Sequence, residues 1–236
     1  MATSDDGLTR LDLVLRNLTE YVPHNAARNG LTDSGLLAQL NIRAGTTTKF
    51  EACFVDGASP NDAVRTVTLR VFDLVVYDIE SPRKSKETVR IDSGFDAYVL
   101  GDATELVKDR TPHADGSVGF ASSLHGVGGD NPDDPDQLTA QQKARSLQVY
   151  YRDRACVNIT LGVPFDPEVD VAAQPKSGRN FLFGSLRAPL REGAYDCSVA
   201  QPPAAPPLSP LPPSPSLPPA PPGGYSAPPP APPPSV

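Results

Sequence analysis

The chain has 236 residues, 28 acidic against 21 basic side chains, a net charge of -7, 28 prolines and three cysteines. A mildly acidic chain with no basic block lacks the clustered positive face of a nucleic-acid binder and has no attraction to an anionic membrane surface. It has no apolar run of about 18 residues, so nothing reads as a membrane span, and its cysteines are too few, and odd in number, for a disulfide scaffold.

The start, MATSDDGLTRLDL, is acidic and polar and does not read as a signal peptide. That points to an intracellular chain, or to a start set by processing. Helical periodicity is nearly absent. Leu11, Leu13 and Leu15 alternate with other residues and predict a first strand over Leu11–Leu18. LTDSGLLAQLNIRAGT is a turn followed by a short apolar stretch. LNIRAG and KFEACFV read as two strands joined by a turn at Gly45, and ASPND reads as a loop. VRTVTLRVFDLVVYDIE is the longest strand signal, with Val67, Leu69 and Val71 on one face. It predicts a central strand pair or one bulged long strand. SPRKSKE then reads as a polar hairpin tip. ETVRID, DAYVL, SVGFASSL, SLQVYYRD, ACVNITLGV and NFLFGSLRAPL follow as short strands. Thr139 and Gln142 form a capping-box pattern that predicts a short helix through QQKARS, and DPEVDVAAQPKSGRN reads as a longer loop. Short strands separated by Gly, Pro and Asp turns predict an all-β, antiparallel β-sandwich of jelly-roll type over residues 1–197.

The sharpest local feature is HGVGGDNPDDPDQLT. Asp130, Asn131, Asp133, Asp134 and Asp136 supply five oxygen-bearing side chains, stiffened by Pro132 and Pro135. Calcium takes six to eight oxygens, roughly, from such groups, so this loop is the candidate calcium site, with a solvated helix lead-in as the alternative. It is not an EF-hand, because the required glycine and glutamate positions do not match. Asp73 and Asp78 are candidates for distant ligands. Paired carboxylates would suit glycoside hydrolysis, but Glu20, Glu51, Glu80, Glu87 and Glu105 are scattered with no convergence visible in the sequence. There is no GxSxG, and His24, His113 and His125 are each isolated, so the reading is of a protein that is not an enzyme.

Cys53 and Cys156 both lie in strand-like runs and are either a cross-core disulfide or two buried apolar residues. Cys197 stands where the two materials of the chain meet. No Cys or His spacing suits zinc. Two glycosylation sequons occur, at Asn17 and Asn158. If Asn158 carries a glycan it must face solvent, with Ile159 facing the core. Tyr98, Tyr150 and Tyr151 either line a sugar platform or belong to the core and sheet surface.

From Cys197 onward the chain carries no charge and is nearly half proline. Such a segment has little to bury and few backbone donors, so residues 198–236 read as an extended polyproline II tail with one soft joint at Gly223-Gly224. It lacks the basic residue that SH3 partners read. LSPLPPSPSLPPAPP resembles the Pro-rich stalks of plant and green-algal hydroxyproline-rich wall glycoproteins, such as extensins and the spacers of pherophorin-like proteins. The resemblance covers the tail alone. It implies hydroxylated, glycosylated prolines and a place in an extracellular matrix or coat.

The expected function is therefore a structural or adhesive glycoprotein subunit at the cell surface. Its partners would be other structural proteins, glycans or further copies of itself. One alternative is a cytoplasmic scaffold whose tail recruits a proline-binding protein. Another is a carbohydrate-binding or glycoside-processing module.

Overall fold

The structure, a computed structural model, describes residues 2–3, 10–58, 65–81, 84–110, 113–125, 131–166, 177–186 and 189–191. These lie in the first of the two units into which the chain divides, Met1–Cys197. The proline-rich tail, Cys197 and Asp130 lie outside the described residues.

The strands are β1 (Ala2–Thr3), β2 (Arg10–Asn17), β3 (Gly30–Leu31), β4 (Ala38–Arg43), β5 (Thr47–Asp56), β6 (Leu69–Tyr77), β7 (Thr88–Ile91), β8 (Ala97–Leu100), β9 (Leu106–Lys108), β10 (Val118–Ser122), β11 (Leu147–Arg154), β12 (Cys156–Gly162) and β13 (Gly178–Gly184). One helix, α1 (Ala140–Ala144), and two 3-10 turns complete the described elements. Among the described residues, the strands form a seven-stranded sheet in the order β1-β2-β5-β12-β7-β10-β9 and a six-stranded sheet in the order β3-β4-β13-β6-β11-β8. Every ladder between these strands is antiparallel. The fold is a β-sandwich.

The strand pattern explains the layering. In β12, Val157, Ile159 and Leu161 are buried, while Cys156, Asn158 and Thr160 are half-buried on the opposite face. Across the ladder, Phe50 and Ala52 of β5 point inward as well. They meet Leu74, Val76, Leu147, Val149, Phe181 and Phe183 of the other sheet in one core. Each large apolar side chain buried there contributes about 1.5–3 kcal/mol. The expected turn at Gly45 is present, with φ 84°. A Cβ at that position would collide with the Phe165 ring, so glycine is required on two counts.

The longest apolar run is one strand, neither a strand pair nor a bulged strand. β6 begins at Leu69, and the stretch before it contributes only an isolated bridge between Thr66 and Val55. Its run is continuous because its second half is buried on both faces. Leu74 and Val76 enter the main core, while Val75 and Tyr77 pack outward with Leu37 and Leu182 beneath Leu138 and Leu186. At the other end, Val71 is 40% exposed.

SPRKSKE is not a hairpin tip. β6 and β7 belong to different sheets, so the segment between them crosses from one sheet to the other. Glu80 and Glu87, at its ends, are 1% and 0% exposed. The helix appears as expected: Thr139 Oγ1 accepts from Gln142 N, and Gln142 Oε1 accepts from Thr139 N, completing the capping box.

Candidate binding site

Three parts of the structure bear on function: a buried ion cluster, the outer face of the seven-stranded sheet, and a cavity beside β8–β10.

The ion cluster closes one end of the sandwich. Arg145, just after α1, donates from Nε to Glu105 at 2.7 Å and from Nη1 to Glu80 at 3.3 Å. Arg179, at the start of β13, donates from Nε to Glu87 at 2.6 Å and also donates to Glu80. Glu87 also accepts from Glu80 N at 3.1 Å. Burial pushes the Glu87 carboxyl up to about 8, with Arg179 pulling the other way. Burial lowers the Arg179 value, but the Glu87 and Glu80 carboxylates outweigh it and raise the net. Three acids that look scattered in the sequence thus converge on two arginines. They fix the sheet crossing, and His125 adds to this by contacting the Ser81 carbonyl through Nδ1 at 3.0 Å.

The outer sheet face carries a disulfide between Cys53 and Cys156, which are direct cross-strand partners in β5 and β12. It joins neighbours within one sheet and does not cross the core. The strand alternation explains this: Ala52 and Val157 take the inward positions and leave both cysteines outward. Asn158 lies on the same face, opposite Glu51, with Ile159 fully buried. This is the orientation that glycosylation at Asn158 requires. Glu51 is paired with Arg16 at 2.6 Å, and Lys49 with Asp92 at 2.6 Å. Asn17 is exposed and donates to the Thr19 carbonyl at 2.9 Å.

The acidic loop is described from Asn131 onward. Asn131, Asp133 and Asp136 are exposed. Asp134 caps a 3-10 turn, its side chain accepting from Asp136 N at 2.9 Å and from Gln137 Nε2 at 2.7 Å. Asp73 lies on β6. Its Oδ2 accepts from Gln148 Nε2 at 2.8 Å and from Leu186 N at 3.0 Å, and so pins the segment that covers the six-stranded sheet. Burial raises its pKa. Asp78 is buried, at φ 55°. A cavity of about 340 Å³ beside the loop, lined by Asp136, Leu138, Lys143, Leu186 and Leu190, is mainly an extension of the apolar cover.

The third part brings polar groups together around half-buried rings. A cavity of about 430 Å³ lies beside β8, β9 and β10. Phe95 and Tyr98 form one side, edge to face at 6.1 Å, and Tyr98 meets the buried Phe120 edge to face at 5.0 Å. These contacts hold the Tyr98 ring in place. Lys108 Nζ is 3.0 Å from the Tyr98 hydroxyl and 5.1 Å from the ring centre. An ammonium above the ring centre would stand farther from the hydroxyl than from the centre, so Lys108 sits at the phenol tip.

The opposite side is the turn after β9. Asp109 and His113 are joined at 3.0 Å, with Asp109 N bonded to the Gly119 carbonyl at 2.9 Å. A Cβ on Gly119 would occupy the place of the Asp109 carboxylate, so that carboxylate lies across β10 only because residue 119 has no side chain. Asp115 braces the turn. It accepts from Ser117 N at 3.0 Å, from Ser117 Oγ at 2.6 Å and from Arg90 at 2.7 Å. The Ser117 bonds, then Arg90, hold its carboxyl down to about 2. Arg110 is exposed on the rim, with no hydrogen bond or ion pair among the described residues.

Of the three tyrosines considered for a sugar platform, only Tyr98 lines this cavity. Tyr150 and Tyr151 are 7% and 3% exposed and pack in the core. The sequence reading missed Phe95, Lys108, Asp109 and Arg110, and it treated His113 as isolated. The available signal was VKDRTPH, a short run that sets two cations, an acid and a histidine close together in the sequence.

No family model matches the chain, and no curated protein matches it. No helix among the described residues is long and apolar enough to cross a membrane.

Proposed function

We propose that the chain is a non-enzymatic structural or adhesive glycoprotein subunit of an extracellular matrix, coat or surface appendage. In this reading residues 1–197 form the interaction head and residues 198–236 a stiff polyproline spacer. The observation that carries it is the Cys53–Cys156 disulfide on the outer sheet face, beside an outward-facing sequon at Asn158. Such a bond persists in an oxidising compartment, and a glycan at Asn158 would project from the sheet into solvent. We read the strand order β5-β12-β7-β10 opposite β6-β11-β8 as jelly-roll type, a scaffold that leaves recognition to edges and loops. The head would grip its partner through the cavity beside β8–β10, which makes carbohydrate binding part of the same reading.

The test is secretion and glycosylation in the source cells. The chain should be recovered from the cell-surface or matrix fraction, and an N-glycosidase should increase its gel mobility. Recovery only from the cytosol, with mobility unchanged by the enzyme, contradicts the proposal. Calcium binding by residues 130–136 belongs to the same proposal, because an exposed acidic loop suits a calcium-rich exterior. Millimolar calcium should raise the melting temperature of the wild type but not of Asp130→Ala/Asp133→Ala. An unchanged wild type leaves the loop as a lead-in to α1.

A further inference from the structure

We propose that the cavity beside β8–β10 binds an acidic saccharide, with sugar faces packed on Tyr98 and Phe95 and its carboxylate or sulfate held by Arg110 and Lys108. This rests on the reading of the head as an adhesive module and names what it grips.

Three features support the ligand class. The volume, about 430 Å³, lies in the range of small-ligand sites, roughly 300–1,000 Å³, and suits a short stretch of sugar rings. The aromatic side is rigid and only half-buried: Phe95 and Tyr98 brace each other, and Phe120 backs Tyr98 from the core. The negative face of an aromatic ring attracts the C–H groups on one side of a pyranose. A ring-walled cavity therefore favours a sugar over a compact inorganic anion.

The rim supplies the charge preference. Asp109 is engaged with His113, and Asp115 with Ser117 and Arg90, so the nearby carboxylates already have partners. Lys108 uses one ammonium donor on the Tyr98 hydroxyl and has two more. Arg110 presents its guanidinium fork with no partner among the described residues, and that fork matches a carboxylate or sulfate through paired hydrogen bonds. Cations thus outnumber acids at this mouth on a chain whose net charge is -7. A neutral sugar would use the rings and leave the cations unanswered, whereas an acidic one uses both.

The experiment is calorimetric titration of the full chain with four probes: a tetragalacturonate, its methyl ester, a sulfated galactan tetrasaccharide and a neutral cellotetraose. The account predicts binding of one or both acidic probes, weakening with salt, with the ester and cellotetraose at least about tenfold weaker. The acidic probe that binds identifies the anion. Arg110→Gln, at an exposed unpaired position, should keep the wild-type melting temperature and weaken binding about tenfold or more. Tyr98→Phe keeps the ring and should change affinity less than about threefold, while Tyr98→Ala should abolish binding. Equal affinity for acidic and neutral probes, no binding of any probe at millimolar concentration, or an Arg110→Gln variant with unchanged affinity overturns the proposal. Failure to bind by a chain that is secreted, disulfide-bonded and glycosylated overturns this inference alone. A cytosolic chain with free thiols overturns the adhesive reading beneath it.

Discussion

Removing the Cys53–Cys156 bond should cost the head a large share of its stability. The bond closes a loop with a sequence separation of 103 residues. In the chain-entropy treatment, a loop of about 100 residues is worth about 4.7 kcal/mol, and removal of native disulfides costs about 2–5 kcal/mol. The bond joins strands that also share a seven-residue register from Cys156↔Cys53 to Gly162↔Thr47. The ladder should therefore survive reduction, and the loss should fall on the unfolded state, which gains freedom. For a domain of this size, each kcal/mol moves the melting temperature by about 2–4 °C, so the predicted fall is about 4–20 °C, toward the upper end for so long a loop. The assay compares the oxidised chain, the chain in a thiol reductant, and Cys53→Ser/Cys156→Ser. Thiol titration should gain two groups on reduction, those of Cys53 and Cys156. Both cysteines are half-buried, so the serine hydroxyls can reach water and add little penalty. A melting temperature that moves by less than about 2 °C while the thiol count rises by two would refute the reasoning.

Arg145→Met should destabilise the head by about 3–5 kcal/mol, because it leaves Glu80 and Glu105 short of a buried partner; a urea midpoint unchanged from wild type would contradict this. Glu87 sets a pH slope. The unfolded chain releases this proton near 4.5 and the folded chain near 8, so the Glu87 contribution to stability is fully present below 4.5 and is lost as pH rises to about 8. Glu87→Gln should flatten that decline, as read by denaturant melts at pH 5 and pH 8. Gly119→Ala should displace Asp109 from His113 and alter the chemical shifts of the His113 ring, with the melting temperature falling by only a few degrees, about 1 kcal/mol.

Much of the sandwich was visible as alternation. The strands around Phe50 and Ile159 each bury one face, so inward and outward positions alternate. The capping box at Thr139 and the Gly45 turn are local devices that three or four residues specify. What the sequence hid was long-range. SPRKSKE looks like an exposed tip because its composition is polar. Glu87 at its end and Glu80 just before it are nevertheless buried, since arginines from 65 or more positions downstream reach them. The run DLVVY looks like a special strand because the residues covering its outer face, Leu138 and Leu186, lie far along the chain. The disulfide was visible as a pairing, but its place on the outer face depends on which side of β5 and β12 meets the core. The cavity draws on β8, β9, β10 and one turn, and Tyr98 became distinguishable from Tyr150 and Tyr151 only once the core had claimed the other two.

The central claim is that this is a matrix or surface glycoprotein, and peptide mass analysis of the chain isolated from its source tests it most directly. The account predicts a Cys53–Cys156 cross-linked peptide, a glycan on Asn158, and hydroxylated or glycosylated prolines within residues 198–236. Three free thiols, with unmodified Asn158 and unmodified prolines, would contradict it.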